Sequence, residues 1–321
     1  MIDLILAIYI LIVGVVLVIF SSKYAVKHSA LLATALGISP LIIGVTLVSI
    51  GTDISEIFNS IISCSLGHGD IDVGDSVGSD LTQLTLVFGL LPIVCGAFYI
   101  NRRDIILLGS CEVLSLIVIF TIVEKGYITR LNAIFMVFSL FIYIWLIYNA
   151  NKESIMHRVE LIETIQPTKK KKFHLLIAVI GFGGVTISAY AIVRSVIYIS
   201  EVIEVHEYII SFFVLAIGTS LPELVVDIHA LRAGHHGIAI GDIVGSCIVD
   251  STLSIGIGQV FFPQRVTASL AVPTVFYTLI VSIIVIITIA ARRKIDKKAG
   301  VFFIFLYLSA YFLLFNINIT V

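Results

Sequence analysis

Apolar runs of membrane-crossing length alternate with short polar breaks along this chain, and ten helical segments follow from that pattern. The expected helices cover about 4–36, 40–66, 73–99, 105–123 and 128–148, then 173–199, 207–232, 238–262, 268–291 and 299–319. Each is long enough for a hydrocarbon core of about 30 Å. The clearly polar stretch at 149–172 holds Pro167 and the basic run Lys169 to Lys172. It is read as a linker between a first half, 1–148, and a second half, 173–321.

Charge placement orients these helices. If the first loop is cytoplasmic, 16 Lys and Arg residues fall on the cytoplasmic side. Only three, Lys125, Arg130 and Arg265, fall on the other side, and Arg194 lies within the sixth helix. Basic residues are retained on the cytoplasmic face of a membrane. The expected protein is therefore multi-pass in the cytoplasmic membrane, with both termini outside. Five helices starting outside are followed by five starting inside, so the halves are inverted. The expected fold class is an all-α polytopic membrane protein, with ten transmembrane helices in two inverted five-helix repeats.

Composition agrees. The chain of 321 residues is 59% apolar and 13% charged, with a mean hydropathy of +1.12, whereas soluble domains carry about 25% charged residues. Long continuous apolar runs indicate helices and not a barrel. The net charge of −1 points to no partner, and no nucleic acid is expected. Cys64, Cys95, Cys111 and Cys247 lack CxxC spacing and read as small buried hydrophobes. The N-terminus is apolar without a basic n-region, so it reads as a first membrane helix and not as a cleaved signal. There is no nucleotide-binding loop and no nucleophile arrangement, so neither an enzyme nor a cofactor is expected.

The chemistry sits in two duplicated blocks. LAIGTSLPE, Leu215 to Glu223, is echoed 167 positions earlier by VSIGTDISE, Val48 to Glu56. GDSVGSDLTQ, Gly74 to Gln83, is echoed by GDIVGSCIVD, Gly241 to Asp250. The alignment pairs Thr52 with Thr219, Asp53 with Ser220, Glu56 with Glu223, Asp75 with Asp242, Ser79 with Ser246, and Gln83 with Asp250. Thr52 and Glu56, Thr219 and Glu223, Ser79 and Gln83, and Ser246 and Asp250 are i,i+4 pairs, each on one helix face about 6 Å apart along the axis. Pro222 lacks an N–H and crowds the carbonyl of Gly218, which predicts a kink and freed carbonyls. Carboxylates, hydroxyls and carbonyls make an all-oxygen set suited to hard cations such as Ca²⁺ or Na⁺. Bare acids at Asp53, Glu56, Glu223 and Asp250 would together cost on the order of 10 kcal/mol at the membrane midplane. Cations or protons must offset that, because Arg194 alone cannot.

GTSLPE followed by G-x-x-x-GS-x-x-x-D, in two inverted halves, resembles the cation/calcium exchanger superfamily, and within it the prokaryotic sodium/calcium exchanger branch. The resemblance covers the whole chain. It implies a central diamond formed by helices two, three, seven and eight, with helices one and six sliding against it for alternating access. It implies Ca²⁺ ligands at Glu56 and Glu223, with backbone oxygens of Thr52 and Thr219. It implies Na⁺ ligands at Ser220, Ser79, Ser246 and Asp250, with the carbonyls of Ser49 and Ala216. The implied activity is Ca²⁺/Na⁺ antiport, with inorganic cations and membrane lipid as partners. Exchange with another couple, such as H⁺ with a divalent ion or Na⁺ with H⁺, is the alternative. A channel or a non-transporting sensor is a further one.

The first half departs from the family pattern. Asp53 stands where the family has serine, Ser55 replaces the proline, and Gln83 stands where asparagine is usual. Asp75, Asp80 and Asp242 also occupy positions where asparagine is common. Asp53 adds a charge on the face of Glu56, so either more cation charge is held there or one carboxyl keeps a proton. Losing the proline at Ser55 predicts a straighter second helix. Helix–helix packing is the plain alternative for Thr52, Thr219, Ser79 and Ser246. Asp75 and Asp242 are expected at helix starts, where capping competes with ion binding. Asp80 faces either the core or away from it. Asp227 lines an inner vestibule or pairs with His229. His68, Asp70 and Asp72 are expected in a solvated outer loop, although they resemble a metal site. His235 and His236 are expected in a solvated loop, and Lys169 to Lys172 at lipid headgroups. Glu112 has no repeat partner and no role in this reading.

Overall fold

The computed structural model describes residues 2–35, 51, 53–150, 171–232, 234 and 236–318. Serial helices account for nearly all of it. They are α1 (Ile2–Ala35), α2 (Ile54–Leu66), α3 (Gly69–Val94), α4 (Arg102–Val123) and α5 (Arg130–Ala150). The second half supplies α6 (Lys171–Ile203), α7 (Glu207–Arg232), α8 (236–261), α9 (Ala268–Arg292) and α10 (Lys297–Asn318). Eight described helices are long and apolar enough to cross a membrane, and Ile54–Leu66 is a shorter apolar one. The expected start of the second helix, at 40–50, lies outside the described residues, as does most of the linker, 151–170.

The packing is unchanged when the two halves are exchanged. α1 lies along α6, and α4 lies along α9. α2 meets α8 as α7 meets α3, and α5 covers α8 as α10 covers α3. Two short backbone ladders repeat the relation. Phe98–Tyr99 pairs with Lys294–Ile295, joining the α3–α4 and α9–α10 loops. Tyr127 bridges Arg265, joining the α4–α5 and α8–α9 loops. Two inverted repeats related by a pseudo-twofold axis give this arrangement.

Burial orders the layers. In their most apolar windows α3 and α8 are 78% and 72% buried, while α1 is 22% buried. α3 and α8 are thus the inner pair. α1, α5 and α6 turn Ile5, Tyr9, Phe135, Trp145 and Ile187 outward, as lipid-facing helices do. α1 and α6 run antiparallel at close range. A Cβ added to Gly181 would lie 2.8 Å from the Ala25 backbone, and one on Gly14 would lie 2.8 Å from Ile192 Cγ1. Small residues let the two backbones approach closely.

Three differences from the sequence expectation matter. α3 starts at Gly69, four residues before the expected Val73, because Gly67 closes α2 in the left-handed region (φ 92°) and the chain turns at once. Its end comes at Val94, and Phe98–Tyr99 is strand. The solvated outer loop expected for His68, Asp70 and Asp72 is therefore not formed. Instead His68 Nδ1 lies 2.7 Å from Glu207 Oε2, and Asp70 accepts from Thr267 N and Oγ1, each at 2.6 Å. Asp72 is buried and accepts from Gln259 Nε2 at 2.8 Å. At the other end of the protein, Asp296 accepts from Ala299 N at 3.0 Å and from Arg292 at 2.8 Å. The backbone bond, with Arg292 beside it, holds its carboxyl below the usual range.

The contact of α3 with α7 depends on one missing side chain. A Cβ on Gly78 would lie 2.8 Å from Ala216 Cβ and would overlap the Phe212 carbonyl oxygen. Gly78→Val is expected to lower the melting midpoint in detergent by the equivalent of about 1–3 kcal/mol or to abolish the monodisperse species. Gly183→Val, at an exposed position where a Cβ meets nothing, is expected to leave both unchanged. Size-exclusion chromatography with a thermal ramp reads both variants.

Candidate functional site

The site forms where two helical segments start, Ile54–Leu66 in the first half and Leu221–Arg232 within α7. α7 breaks at Ser220 (φ −82°, ψ 2°) and restarts at Leu221, placing Pro222 in the first turn of the new segment. There its missing N–H removes no intrahelical bond. In the first half Asp53 has φ −82° and ψ 11°, and α2 follows at once. The backbone bonds repeat as well: Leu224 N to Ser220 O at 3.3 Å, and Ile57 N to Asp53 O at 3.0 Å. The straighter second helix expected from Ser55 turns on residues 40–50 and 52, which lie outside the described residues. At Asp53 the dihedrals match those of Ser220 with Ser55 in place of the proline.

The two segment starts deliver three acids to one place. Asp53, Glu56 and Glu223 each present a carboxylate oxygen within 4.8 Å of the others, and all three are buried. Ser55 Oγ donates to Glu56 Oε2 at 2.7 Å. Both oxygens of Asp53, both of Glu223 and Oε1 of Glu56 have no hydrogen-bond partner. Ser220, the repeat counterpart of Asp53, instead donates to the Ala216 carbonyl at 2.8 Å.

Neutral donors surround this cluster. Asp75 accepts from Asn59 Nδ2 at 3.1 Å and from Thr219 Oγ1 at 3.2 Å. Thr219 Oγ1 also lies 3.3 Å from Ser79 Oγ. Gln83 Nε2 donates to Asp250 Oδ2 at 3.3 Å, and Ser254 Oγ donates to Asp250 Oδ1 at 3.2 Å. Gln83 and Asp250, paired by the repeat, therefore touch directly. Both stand in π-helical turns, Thr82–Val87 and Asp250–Ser254, which displace the helix register at equivalent points. Ser246 is buried on α8. Thr52 and Ser49 lie outside the described residues.

Comparison with known proteins places this geometry. The sequence profile described as "Sodium/calcium exchanger protein" matches residues 6–149 and 173–317, most of the chain. The chain belongs to the sodium/calcium exchanger protein family. That is a family of transporters and not of enzymes. A curated relative, the sodium/calcium exchanger MaX1 of Methanosarcina acetivorans, is 31% identical over 139 residues, covering 43% of this chain and 40% of the relative. The matched stretch thus spans less than half of that relative's length. Among solved structures, the sodium-calcium exchanger NCX_Mj matches with a TM-score of 0.62 at 23% identity, covering 96% of this chain and 98% of the other. The H⁺/Ca²⁺ exchanger CAX matches with a TM-score of 0.73 at 17% identity, covering 95% and 82%. Both likenesses are of fold.

Within this exchanger-family chain several residues sit elsewhere than the sequence implied. Asp75 is not a cap. It lies well inside α3, buried, bonded to Asn59 and Thr219. Asp242 likewise lies past the first turn of α8. Asp80 faces inward, completely buried. Asp227 is buried with both oxygens unpartnered, while exposed His229 sits 3.1 Å from the Val225 carbonyl, so the two do not pair. Arg194 is exposed and offsets none of the buried acids. His236 begins α8, and His235 is outside the described residues. Asn59 was missed by the sequence reading. Its only signal is a place one turn after Glu56, and Val226 stands at its repeat equivalent.

Asn59→Leu leaves one Asp75 oxygen without its donor and is expected to cost about 1–3 kcal/mol, read as a lowered melting midpoint. Asp53→Asn removes a buried, unpartnered charge and is expected to raise the midpoint in chelator-treated, sodium-free buffer. The gain shrinks when Ca²⁺ is added, because the wild type then offsets the same charge.

Proposed function

We propose that this chain is a secondary antiporter that exchanges Ca²⁺ for Na⁺ across the cytoplasmic membrane by alternating access. The observation that carries the reading is the convergence of Asp53, Glu56 and Glu223 from two helix starts, buried and without a basic partner. Two or three carboxylates with surrounding hydroxyls and carbonyls form an oxygen site for a hard divalent ion. The same site with its charge balanced by several Na⁺ accounts for exchange, since an empty acidic site is costly to carry through the membrane interior. The name of the Methanosarcina relative supports this couple.

In this proposal Glu56 and Glu223 hold Ca²⁺, with backbone oxygens of Thr52 and Thr219. Na⁺ is held by Ser220, Ser79, Ser246, Asp250 and Gln83, with the carbonyls of Ser49 and Ala216. The Ala216 carbonyl already accepts from Ser220 N and Oγ, so a Na⁺ there shares that oxygen. The close antiparallel pair α1 and α6 is the sliding element, its backbones brought together at Gly14 and Gly181. The repeats are 1–148 and 173–321, joined by a cytoplasmic linker at 149–172 whose lysines meet lipid headgroups, and both termini are outside.

A second reading, H⁺ exchange for a divalent ion, is favoured by one observation: Asp53 brings a third carboxyl into contact with the pair. Proteoliposome uptake of radiolabelled Ca²⁺ separates the readings. Uptake driven by an outward Na⁺ gradient is expected in the wild type, and Glu223→Gln is expected to reduce it at least tenfold. If uptake follows a pH gradient without Na⁺ and fails in Asp53→Ser, the second reading holds. If uptake ignores a Na⁺ gradient, sodium coupling is wrong.

A further inference from the structure

A second group of buried acids lies outside the proposed transport site. Asp80 on α3, Glu112 on α4 and Cys247 on α8 present one ligand atom each within 4.8 Å of one another. All three are buried, Asp80, Glu112 and Cys247 each at 0% exposure. None of the four carboxylate oxygens of Asp80 and Glu112 has a hydrogen-bond partner. Two carboxylates aimed at one point in a membrane interior, Glu112 with the Ser115 and Ser251 hydroxyls beside it, favour a positive charge between them.

The place in the fold is specific. Asp80 and Cys247 are repeat equivalents, 167 residues apart, and Cys247 Sγ approaches the Asp80 carbonyl at 3.8 Å across the pseudo-twofold axis. Glu112 breaks that symmetry, since Leu279 occupies its repeat position. One turn along α4 from Glu112, Ser115 Oγ lies 2.7 Å from Ser251 Oγ, which fixes α4 against α8 beside the cluster.

We propose that Asp80, Glu112 and Cys247 form a second cation site, for a borderline-soft divalent ion of the Zn²⁺ class. Two carboxylates and one thiol suit that class, whereas the all-oxygen cluster at Asp53, Glu56 and Glu223 suits hard ions. Small side-chain adjustments bring the three atoms to the ~2.0–2.3 Å that Zn²⁺ requires. On binding, the thiol loses its proton to the buffer and the sulfur takes up the metal. That proton now points at Gln83 Oε1 at 3.3 Å, and Gln83 Nε2 holds Asp250. Occupation therefore frees one end of Gln83, whose other end holds Asp250 of the proposed transport site. Its role is regulatory or structural and not part of the ion path.

Co²⁺ titration of the purified, detergent-solubilised full chain tests the site, because a thiolate bound to Co²⁺ absorbs in the near ultraviolet. The wild type is expected to show this band with about one equivalent bound. Cys247→Ser is expected to lose the band, and Glu112→Gln to weaken binding at least tenfold. Glu223→Gln and Cys64→Ser are expected to keep both, which separates this site from the transport reading. If Glu112→Gln does not fold, Glu112→Asp, which keeps the charge but shortens its reach, is expected to retain the band with weaker binding. Zinc content of protein purified without chelator, measured by mass spectrometry, is expected to fall in Cys247→Ser. Absence of the thiolate band in the wild type, as two acids sharing a proton would give, overturns the proposal. So does a Glu112 variant that binds as tightly as the wild type.

Discussion

Buried negative charge without buried positive charge is the constraint on which this molecule depends. Nine carboxylates, Asp53, Glu56, Asp72, Asp75, Asp80, Glu112, Glu223, Asp227 and Asp250, are buried, and among the described residues no Lys or Arg is buried with them. Two of them, Asp75 and Asp250, are held at both oxygens by neutral donors. The other seven keep at least one oxygen without a partner, although Asp72 accepts from Gln259 and Glu56 from Ser55. At the membrane midplane each charged acid costs roughly 2.5–3.5 kcal/mol, so a cluster of them favours cations or protons as counter-charges.

The helix starts at Asp53 and Ser220 bring these acids together. Asp53 and Ser220 share backbone dihedrals, and Glu56 and Glu223 each follow three residues on, both buried. The backbone geometry is the same in both halves, while the side chains differ. Ser220 satisfies its own hydroxyl on the preceding turn, whereas Asp53 places a carboxylate beside the Ser246 hydroxyl. The repeat thus fixes the shape, and the substitution of an acid for a hydroxyl at one of two equivalent places changes the charge. π-helical turns at Gln83 and Asp250 then bring the two halves into direct contact, with Gln83 between Asp250 and Cys247.

Much of this was legible along the chain. The 167-residue offset paired Gln83 with Asp250 and Glu56 with Glu223 before any contact was known, and the packing is inverted as the lysine and arginine bias implied. What escaped depends on tertiary burial. Gly69 to Asp72 is polar, so hydropathy reads it as loop, yet Gln259 and Thr267 make a helical turn there favourable. Proline is a strong local signal for a bend, yet Asp53 takes the dihedrals of Ser220 with Ser55 where the second half has Pro222. Asn59 and Glu112 have no repeat partners, and their roles emerge only from what α3 and α8 place beside them. Asp80 could face either way on a helix wheel; the presence of α4 decides it.

The central claim, that a divalent cation sits between Glu56 and Glu223, is tested most directly by anomalous diffraction from crystals grown with Sr²⁺ as a heavier stand-in for Ca²⁺. A peak at ~2.3–2.6 Å from carboxylate oxygens of Glu56 and Glu223 is predicted, absent when Na⁺ is in large excess. A fully occupied Sr²⁺ elsewhere in the membrane interior, with this position empty at low Na⁺, would contradict the account.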